Sequence, residues 1–233
     1  SAPAYYHRGI AYLRLKEYRE ALRDLSQSLT QSPKNPDAWY KKGVACIYLS
    51  KYEDALAAFN KSIDLQQNHA GSYYYKGLAH AKLGRLKESI ESFEQALNLD
   101  NGCASAAFQQ GLAYANLGRF SEAVASYDNA LAISPDYTDA LYHKGFALAK
   151  RGKNDDAIVE FDKTLSEDRD NASAHHQKGT LLLKTGRYDD AIVSFDESIR
   201  LRPEHAQSFY DKGIALLKLE RFEEAIDAFG YAL

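Results

Sequence analysis

The strongest constraint in this sequence is a glycine that recurs every thirty-four residues, seven times without slippage. The glycines are Gly9, Gly43, Gly77, Gly111, Gly145, Gly179 and Gly213. Twelve residues after each comes a small residue, namely Ala21, Ala55, Ser89, Ala123, Ala157, Ala191 or Ala225. Four residues further on comes a large apolar one, namely Leu25, Phe59, Phe93, Tyr127, Phe161, Phe195 or Phe229. A period of this length predicts a stack of similar supersecondary units.

Each repeat is predicted to contain two helices joined by a short turn. Apolar residues recur at three- and four-residue intervals in segments such as 37–49 and 122–131, which gives each helix one buried face. Glycines that suit a left-handed helix end lie between the two segments, at Gly84, Gly118, Gly152 and Gly186. A glycine inside the first helix costs about 1 kcal/mol relative to alanine. That cost indicates that a neighbouring helix approaches the backbone closely there.

The pattern resembles that of the tetratricopeptide repeat family. Trp39, Gly43, Ala55 and Phe59 carry it in the second repeat, and Gly111, Tyr114, Ala123, Tyr127, Ala130 and Pro135 carry it in the fourth. The resemblance implies an all-α fold, a right-handed α-α superhelix (solenoid) of about fourteen antiparallel helices. It implies a single solenoid over residues 1–233, with repeats at approximately 2–35, 36–69, 70–103, 104–137, 138–171, 172–205 and 206–233.

One departure from the family pattern is consistent. Just before the recurring glycine, where the family often has leucine, this chain has Arg8, Lys42, Lys76, Gln110, Lys144, Lys178 and Lys212. A long aliphatic stem can cover apolar neighbours while its charged end reaches water, so we expect the charged ends to be hydrated.

By the same resemblance, the first helix of each repeat lines a concave groove that binds peptides. The residue expected to point into it is mostly aromatic: Tyr6, Tyr40, Tyr74, Phe108, Tyr142, His176 and Tyr210. One helical turn later comes a mostly apolar row, from Ile10 and Val44 to Ile214. The next turn brings a mostly basic row: Arg14, Tyr48, Lys82, Asn116, Lys150, Lys184 and Lys218. Such a lining favours peptide segments with apolar anchors and some acidic residues.

Two alternatives weaken the assignment of these rows to binding. The aromatic residues can equally pack against the adjacent repeat, and the lysines can be ordinary hydrated charges at helix C-termini. Two specialised grooves of the family are not matched. The clamp that binds a terminal carboxylate needs asparagine where this chain has Ile10, Val44 and Leu78. The other groove carries a row of asparagines along its length, and this chain has no such row.

Composition and motifs favour binding over chemistry. A net charge of −3 argues against a nucleic-acid partner, and no apolar run is long enough to enter a membrane. No nucleotide-binding or hydrolase motif occurs, so we expect neither catalysis nor a cofactor nor a metal. The sequence disfavours a three-ligand metal site at His143, His176 and Asp139, because the spacing matches no known metal motif. The spacing of the two cysteines fits no metal, redox or disulfide pattern, and two isolated thiols favour a cytoplasmic location.

Two regions depart from the repeat. In the fifth repeat, Arg151 and Asn154 replace apolar residues, while Glu167 and Arg169 replace an apolar residue and the proline, which predicts a flexible joint. The sequence opens without methionine and ends at Leu233 without a polar capping helix. From this we expect a segment of a longer protein that associates end to end.

The sequence therefore predicts a protein-interaction scaffold whose partners are other proteins or peptides. Two further functions remain open. The chain could be a regulatory or substrate-selecting arm of a larger enzyme, or a self-assembling structural array. Fold alone does not decide among these.

Overall fold

Fourteen α-helices and no strand make up the secondary structure of residues 1–233, all of which the computed structural model describes. They belong to two structural units, an N-terminal unit, Ser1–Gly118, and a C-terminal unit, Arg119–Leu233. The N-terminal unit holds α1 (Ala2–Arg14), α2 (Tyr18–Gln31), α3 (Pro36–Tyr48), α4 (Tyr52–Leu65), α5 (Ala70–Lys82), α6 (Leu86–Leu99) and α7 (Ala104–Asn116). The C-terminal unit holds α8 (Phe120–Ile133), α9 (Thr138–Lys150), α10 (Asn154–Glu167), α11 (Ala172–Lys184), α12 (Tyr188–Leu201), α13 (Ala206–Lys218) and α14 (Phe222–Ala232). The predicted all-α fold of about fourteen helices is confirmed.

The turn inside each repeat is left-handed, as its glycines predicted. Gly84, Gly118, Gly152 and Gly186 have φ angles of +74°, +73°, +78° and +80°. The same repeat position is occupied by Lys16, Ser50 and Glu220, which adopt φ angles of 61°, 57° and 59°. The left-handed residue closes the first helix with backbone bonds, so the chain reverses within three residues. The turn is therefore a property of the repeat and does not depend on glycine.

The recurring glycine of the first helix lies under the ring of its partner helix. A Cβ atom added at Gly77 would lie 2.7 Å from Cε1 of Phe93, and one added at Gly43 would lie 2.5 Å from Cε1 of Phe59. Both rings are fully buried. The predicted close approach of a neighbouring helix is confirmed, because no other residue leaves room for the ring.

The residue before that glycine binds a carboxylate in the C-terminal unit. Its Nζ atoms lie 2.8, 2.6 and 2.6 Å from carboxylate oxygens on the second helix of the preceding repeat, in the pairs Lys144–Asp128, Lys178–Asp162 and Lys212–Asp196. These charged ends do more than reach water, because each also binds an acidic partner on the preceding repeat. In the N-terminal unit, Arg8 pairs with Asp24 of its own repeat, whereas Lys42 lies over the ring of Trp39, 5.1 Å from its centroid.

The fifth repeat places a charge where the third, fourth and sixth repeats have serine. Glu160 is 5% exposed, and its Oε1 accepts hydrogen bonds from Lys144 and Lys163 at 3.0 Å each. Its Oε2 is buried without a hydrogen-bond partner. At the same position, Ser92 and Ser194 donate to carbonyls of their own helices. Because a buried ion pair contributes little net stability, the flexible joint stays a prediction.

No helix of the structure combines the length and the apolar character that crossing a lipid bilayer requires.

The close contact of helix and ring can be tested with Gly77→Ala. We expect the new methyl group to cost about 1–3 kcal/mol because it displaces the ring of Phe93. Helix propensity returns about 1 kcal/mol, so the free energy of unfolding should fall relative to that of the control variant. Urea denaturation followed by circular dichroism measures it. Gly230→Ala is the control, since a Cβ there meets nothing within 4 Å. Equal losses in both variants would contradict the steric account.

The flexible joint can be tested by hydrogen exchange. We expect amides of residues 150–170 to exchange faster than those of α3 to α6, because Arg151, Asn154 and Glu167 replace apolar residues of the repeat. Mass spectrometry of peptic fragments measures the difference. Amide protection in residues 150–170 equal to that of α3 to α6 would contradict the hypothesis of a flexible joint.

Candidate functional site

An open cavity lies on the first-helix face of the N-terminal unit, among α1, α3 and α5. Its volume is about 380 Å³, and we call it the first-helix cavity. It is lined by Ile10, Leu13, Arg14, Lys16, Tyr18, Tyr40, Lys41, Val44, Tyr48 and Tyr75. The apolar residues come from successive turns of α1 and α3, which the helical period places on one side. The cavity therefore joins apolar, aromatic and basic side chains from three repeats.

Tyrosine rings form one wall of this cavity. Tyr48 stacks on Tyr18 with ring centroids 4.5 Å apart and an angle of 7° between planes, yet Tyr48 remains 54% exposed. Tyr40 meets Tyr75 edge to face, with centroids 5.9 Å apart. Burial raises the pKa of Tyr40 to about 12 and raises that of Tyr75 as well. Both phenols are therefore protonated at neutral pH and can donate hydrogen bonds.

The charged groups of the cavity are all cationic. Arg14, Lys16 and Lys41 line it, and no carboxylate does. Lys41 lies 4.9 Å from the ring centroid of Tyr40, in cation–π geometry. A cluster of positive charges around a recess attracts acidic ligands and raises their association rate. The cavity is thus suited to an acidic segment with an apolar or aromatic anchor.

Some residues of the predicted aromatic row pack against neighbouring side chains, whereas others are exposed. Tyr6 donates a hydrogen bond to Asp37 of the next repeat, and Tyr40 contacts His69, the N-cap residue of α5, with ring centroids 4.6 Å apart. Tyr74 and Tyr142 lie against the buried rings of Phe93 and Phe161. Phe108 is only 6% exposed, whereas Tyr210 is 49% exposed. Packing within a repeat and between repeats therefore accounts for much of this row, and Tyr40 is its one member on the first-helix cavity.

The predicted third row lies at the ends of the first helices. Tyr48 borders the first-helix cavity, together with Arg14. The others are exposed at or near the last residue of their helix: Lys82, Asn116, Lys150, Lys184 and Lys218. Lys150 lies over the ring of Phe146, 5.1 Å from its centroid. Their role as peptide contacts stays a prediction.

Sequence reasoning missed several residues of the cavity wall. Leu13, Lys16 and Tyr18 line it although they lie outside the predicted rows, because the turn after α1 folds back beside α3. Lys41 and Tyr75 lie one position after the predicted aromatic row. Their neighbours Tyr40 and Tyr74 were the available signal, since adjacent positions of one helix share an edge of the same face.

His176, the one histidine in the aromatic row, bonds to the next repeat. Its Nδ1 lies 3.1 Å from Oγ of Ser208, and its Nε2 lies 3.7 Å from Asp211. His205 contacts the same serine at 2.7 Å. Ser208 is fully buried, so it cannot meet a substrate as a nucleophile. No three His, Cys, Asp or Glu side chains gather as a metal site requires, and the arrangement weighed for His143, His176 and Asp139 is not formed.

These observations define a class: an array of repeated helix pairs with the fold of a protein-interaction scaffold. Family models described as tetratricopeptide repeat match residues 6–70, 47–106 and 176–233, and a further model described as TPR repeat matches residues 111–152. The chain therefore belongs to the tetratricopeptide repeat family, as the sequence resemblance predicted.

Solved structures show the same fold. YrrB, described as a TPR protein with an unusual peptide-binding site, is 20% identical and has a TM-score of 0.71, with 84% of this chain and 97% of that chain covered. MamA from Desulfovibrio magneticus RS-1 is 25% identical, with a TM-score of 0.69 and 73% and 96% covered. The C-terminal part of a TPR repeat-containing protein from Cytophaga hutchinsonii is 14% identical, with a TM-score of 0.85 and 98% and 94% covered. The predicted α-α solenoid class is confirmed. No curated protein sequence matches the chain significantly.

The cluster around His176 can be tested through pH. Burial lowers its pKa, against the opposing effect of Asp211, so the folded state favours the neutral ring. Because the unfolded chain then binds the proton more readily, stability is present above the unfolded pKa of 6.5 and is lost as pH falls below it. We expect His176→Tyr, the residue of most other repeats, to reduce the loss of melting temperature between about pH 7.5 and about pH 5.5. Circular dichroism melts measure it, and equal losses in both proteins would refute the assignment.

Proposed function

We propose that this chain is a scaffold that binds a peptide segment of a partner protein in the first-helix cavity. The observation that carries the proposal is the combination of an exposed tyrosine stack, an apolar floor and three cations in one open recess. Rings with two rotatable bonds give a large contact area at a low entropic cost, which suits a surface that recognises peptides.

The floor of the cavity determines what kind of anchor fits. Ile10, Val44 and Leu13 present only hydrocarbon, and Tyr48 stands beside them with half of its surface free. An apolar or aromatic side chain of the peptide would displace water from these groups, which is worth about 25 cal/mol for each Å² buried. Leu, Ile and Phe are therefore the anchors that the cavity favours.

The rim determines the charge of the peptide. Arg14, Lys16 and Lys41 offer charge-assisted hydrogen bonds to acidic residues on either side of the anchor. The pairs would be partly hydrated, so they would contribute more to association rate and partner choice than to affinity. YrrB has the same fold and is described as having a peptide-binding site, which is in keeping with the proposal. In the C-terminal unit, Tyr142, His176, Tyr210, Lys150, Lys184 and Lys218 are proposed as further contacts on the first-helix face.

The test is a selection of displayed random peptides on the whole chain, followed by titration calorimetry with the enriched peptide. We expect enrichment of acidic peptides with one apolar anchor, and we expect Tyr48→Ala to weaken binding about tenfold or more. Tyr48 is chosen over Tyr40 because Tyr40 also packs against Phe59 and His69, so its loss would disturb the fold.

The matched control is Tyr231→Ala, which removes a ring that is 74% exposed on α14, in the C-terminal unit. Lys41→Glu should weaken binding of the acidic peptide while leaving the melting temperature unchanged. Selection of peptides whose affinity is the same for wild type and Tyr48→Ala would place the site elsewhere. Selection of no peptide at all would contradict the proposed function.

A further inference from the structure

A second groove lies in the N-terminal unit, between α2 and the pair α3 and α4. It consists of two adjoining hollows of about 390 and 290 Å³ that share Leu22 and Ser26. We call it the α2–α4 groove. It shares no residue with the first-helix cavity, so it is a separate surface. Leu22 and Ala57 give it an apolar floor.

This groove carries four cations and one carboxylate. Arg19, Arg23 and Lys51 line the larger hollow, and Lys42 faces Asp54 in the smaller one. Arg19, Arg23 and Lys51 form no ion pair within the chain. Exposed cations this close to one another repel, and an anionic partner would relieve that repulsion.

Other repeats neutralise the same positions. The counterpart of Lys51 pairs with an acid in each later repeat, as in Arg85–Glu53 at 2.5 Å and Arg187–Asp190 at 3.1 Å. The counterpart of Lys42 in α11 is Lys178, which binds Asp162, whereas α2 has Ser26 at the position of that aspartate. The surplus positive charge is therefore particular to the α2–α4 groove and is not a feature of the repeat.

The complementary surface lies on the same chain, on α10 and α12. The repeat positions that hold Arg19 and Arg23 in α2 hold Asp155 and Val159 in α10. In α12 they hold an aspartate and a valine again, Asp189 and Val193. Val159 is 51% exposed and Val193 is 65% exposed, each one helical turn from its exposed aspartate. Asp155 and Asp189 form no ion pair within the chain.

We propose that the α2–α4 groove binds the acidic face of α10 and α12 on a second copy of this chain. An exposed valine of one copy would rest on Leu22, and the neighbouring aspartate would meet Arg19, Arg23 or Lys51. The two surfaces match in both charge and hydrophobic character, which is why a second copy is a better occupant than an unrelated acidic protein. Because the two surfaces differ, the contact is heterologous, and it leaves one free groove and one free acidic face for further copies.

The first measurement is sedimentation velocity of the wild-type chain over a range of concentrations. We expect association at about 50 mM NaCl that weakens about tenfold or more at about 500 mM NaCl, since salt screens exposed charges. A monomer at both salt concentrations, up to roughly 0.5 mM protein, would overturn the proposal, because heterologous contacts of this kind must appear at high concentration. Association that does not change with salt would overturn it as well.

Charge reversal then locates the contact. We expect Arg19→Glu with Arg23→Glu, and separately Asp155→Lys with Asp189→Lys, to weaken self-association about tenfold or more, since like charges then face each other. Lys87→Glu is the matched control, because Lys87 occupies the repeat position of Arg19 in α6 and lies outside the groove. It should leave self-association unchanged, and a loss equal to that of the double variant Arg19→Glu with Arg23→Glu would overturn the proposal.

Mixing the two charge-reversed proteins gives the decisive result. The reversed groove of one then faces the reversed acidic face of the other, so we expect the mixture to associate as the wild type does. Association of neither protein alone and none of the mixture would overturn the proposal, provided that circular dichroism shows both to be folded. Binding of the selected peptide at the first-helix cavity should be unaffected in both variants, which separates this contact from the proposed function.

Discussion

The contact between the ring of the second helix and the glycine of the first is the interaction on which the structure depends. It fixes how closely the two helices of a repeat approach, as at Gly77 and Phe93. Neither helix can bury its apolar face alone, so each pair needs the next one. The thirty-four-residue period of the glycine is therefore also the period of the helix pairs and of the faces that they expose.

The two units share this core but differ in the partners of their charged side chains. In the C-terminal unit each lysine before the recurring glycine binds an aspartate of the preceding repeat, so the charges on that face are neutralised. In the N-terminal unit Lys42 lies over Trp39 instead, and Lys41 lies over Tyr40. Cations held on aromatic rings keep their charge available to a ligand. The same repeated backbone geometry can therefore carry surface charges that are paired in one unit and surface charges that can bind a ligand in the other.

The candidate site could be predicted in part. Tyr40 and Tyr48 were expected on the first-helix face from helical spacing, and both line the first-helix cavity. Leu13, Lys16 and Tyr18 were not expected, because their place depends on how the turn after α1 folds against α3. Spacing also could not show that Phe108 is buried while Tyr210 is exposed, since equivalent positions of a repeat look alike in sequence and differ only in their neighbours.

The sequence by itself determined the fold, because seven copies of one pattern specify the helices, their turns and their close packing. The left-handed turns and the glycine contacts were already present in the spacing of Gly84 and Gly43. Only the tertiary structure decided which charges are paired. The aspartates at 128, 162 and 196 are far in sequence from the lysines they bind, and whether a side chain finds such a partner depends on the packing of one repeat on the next.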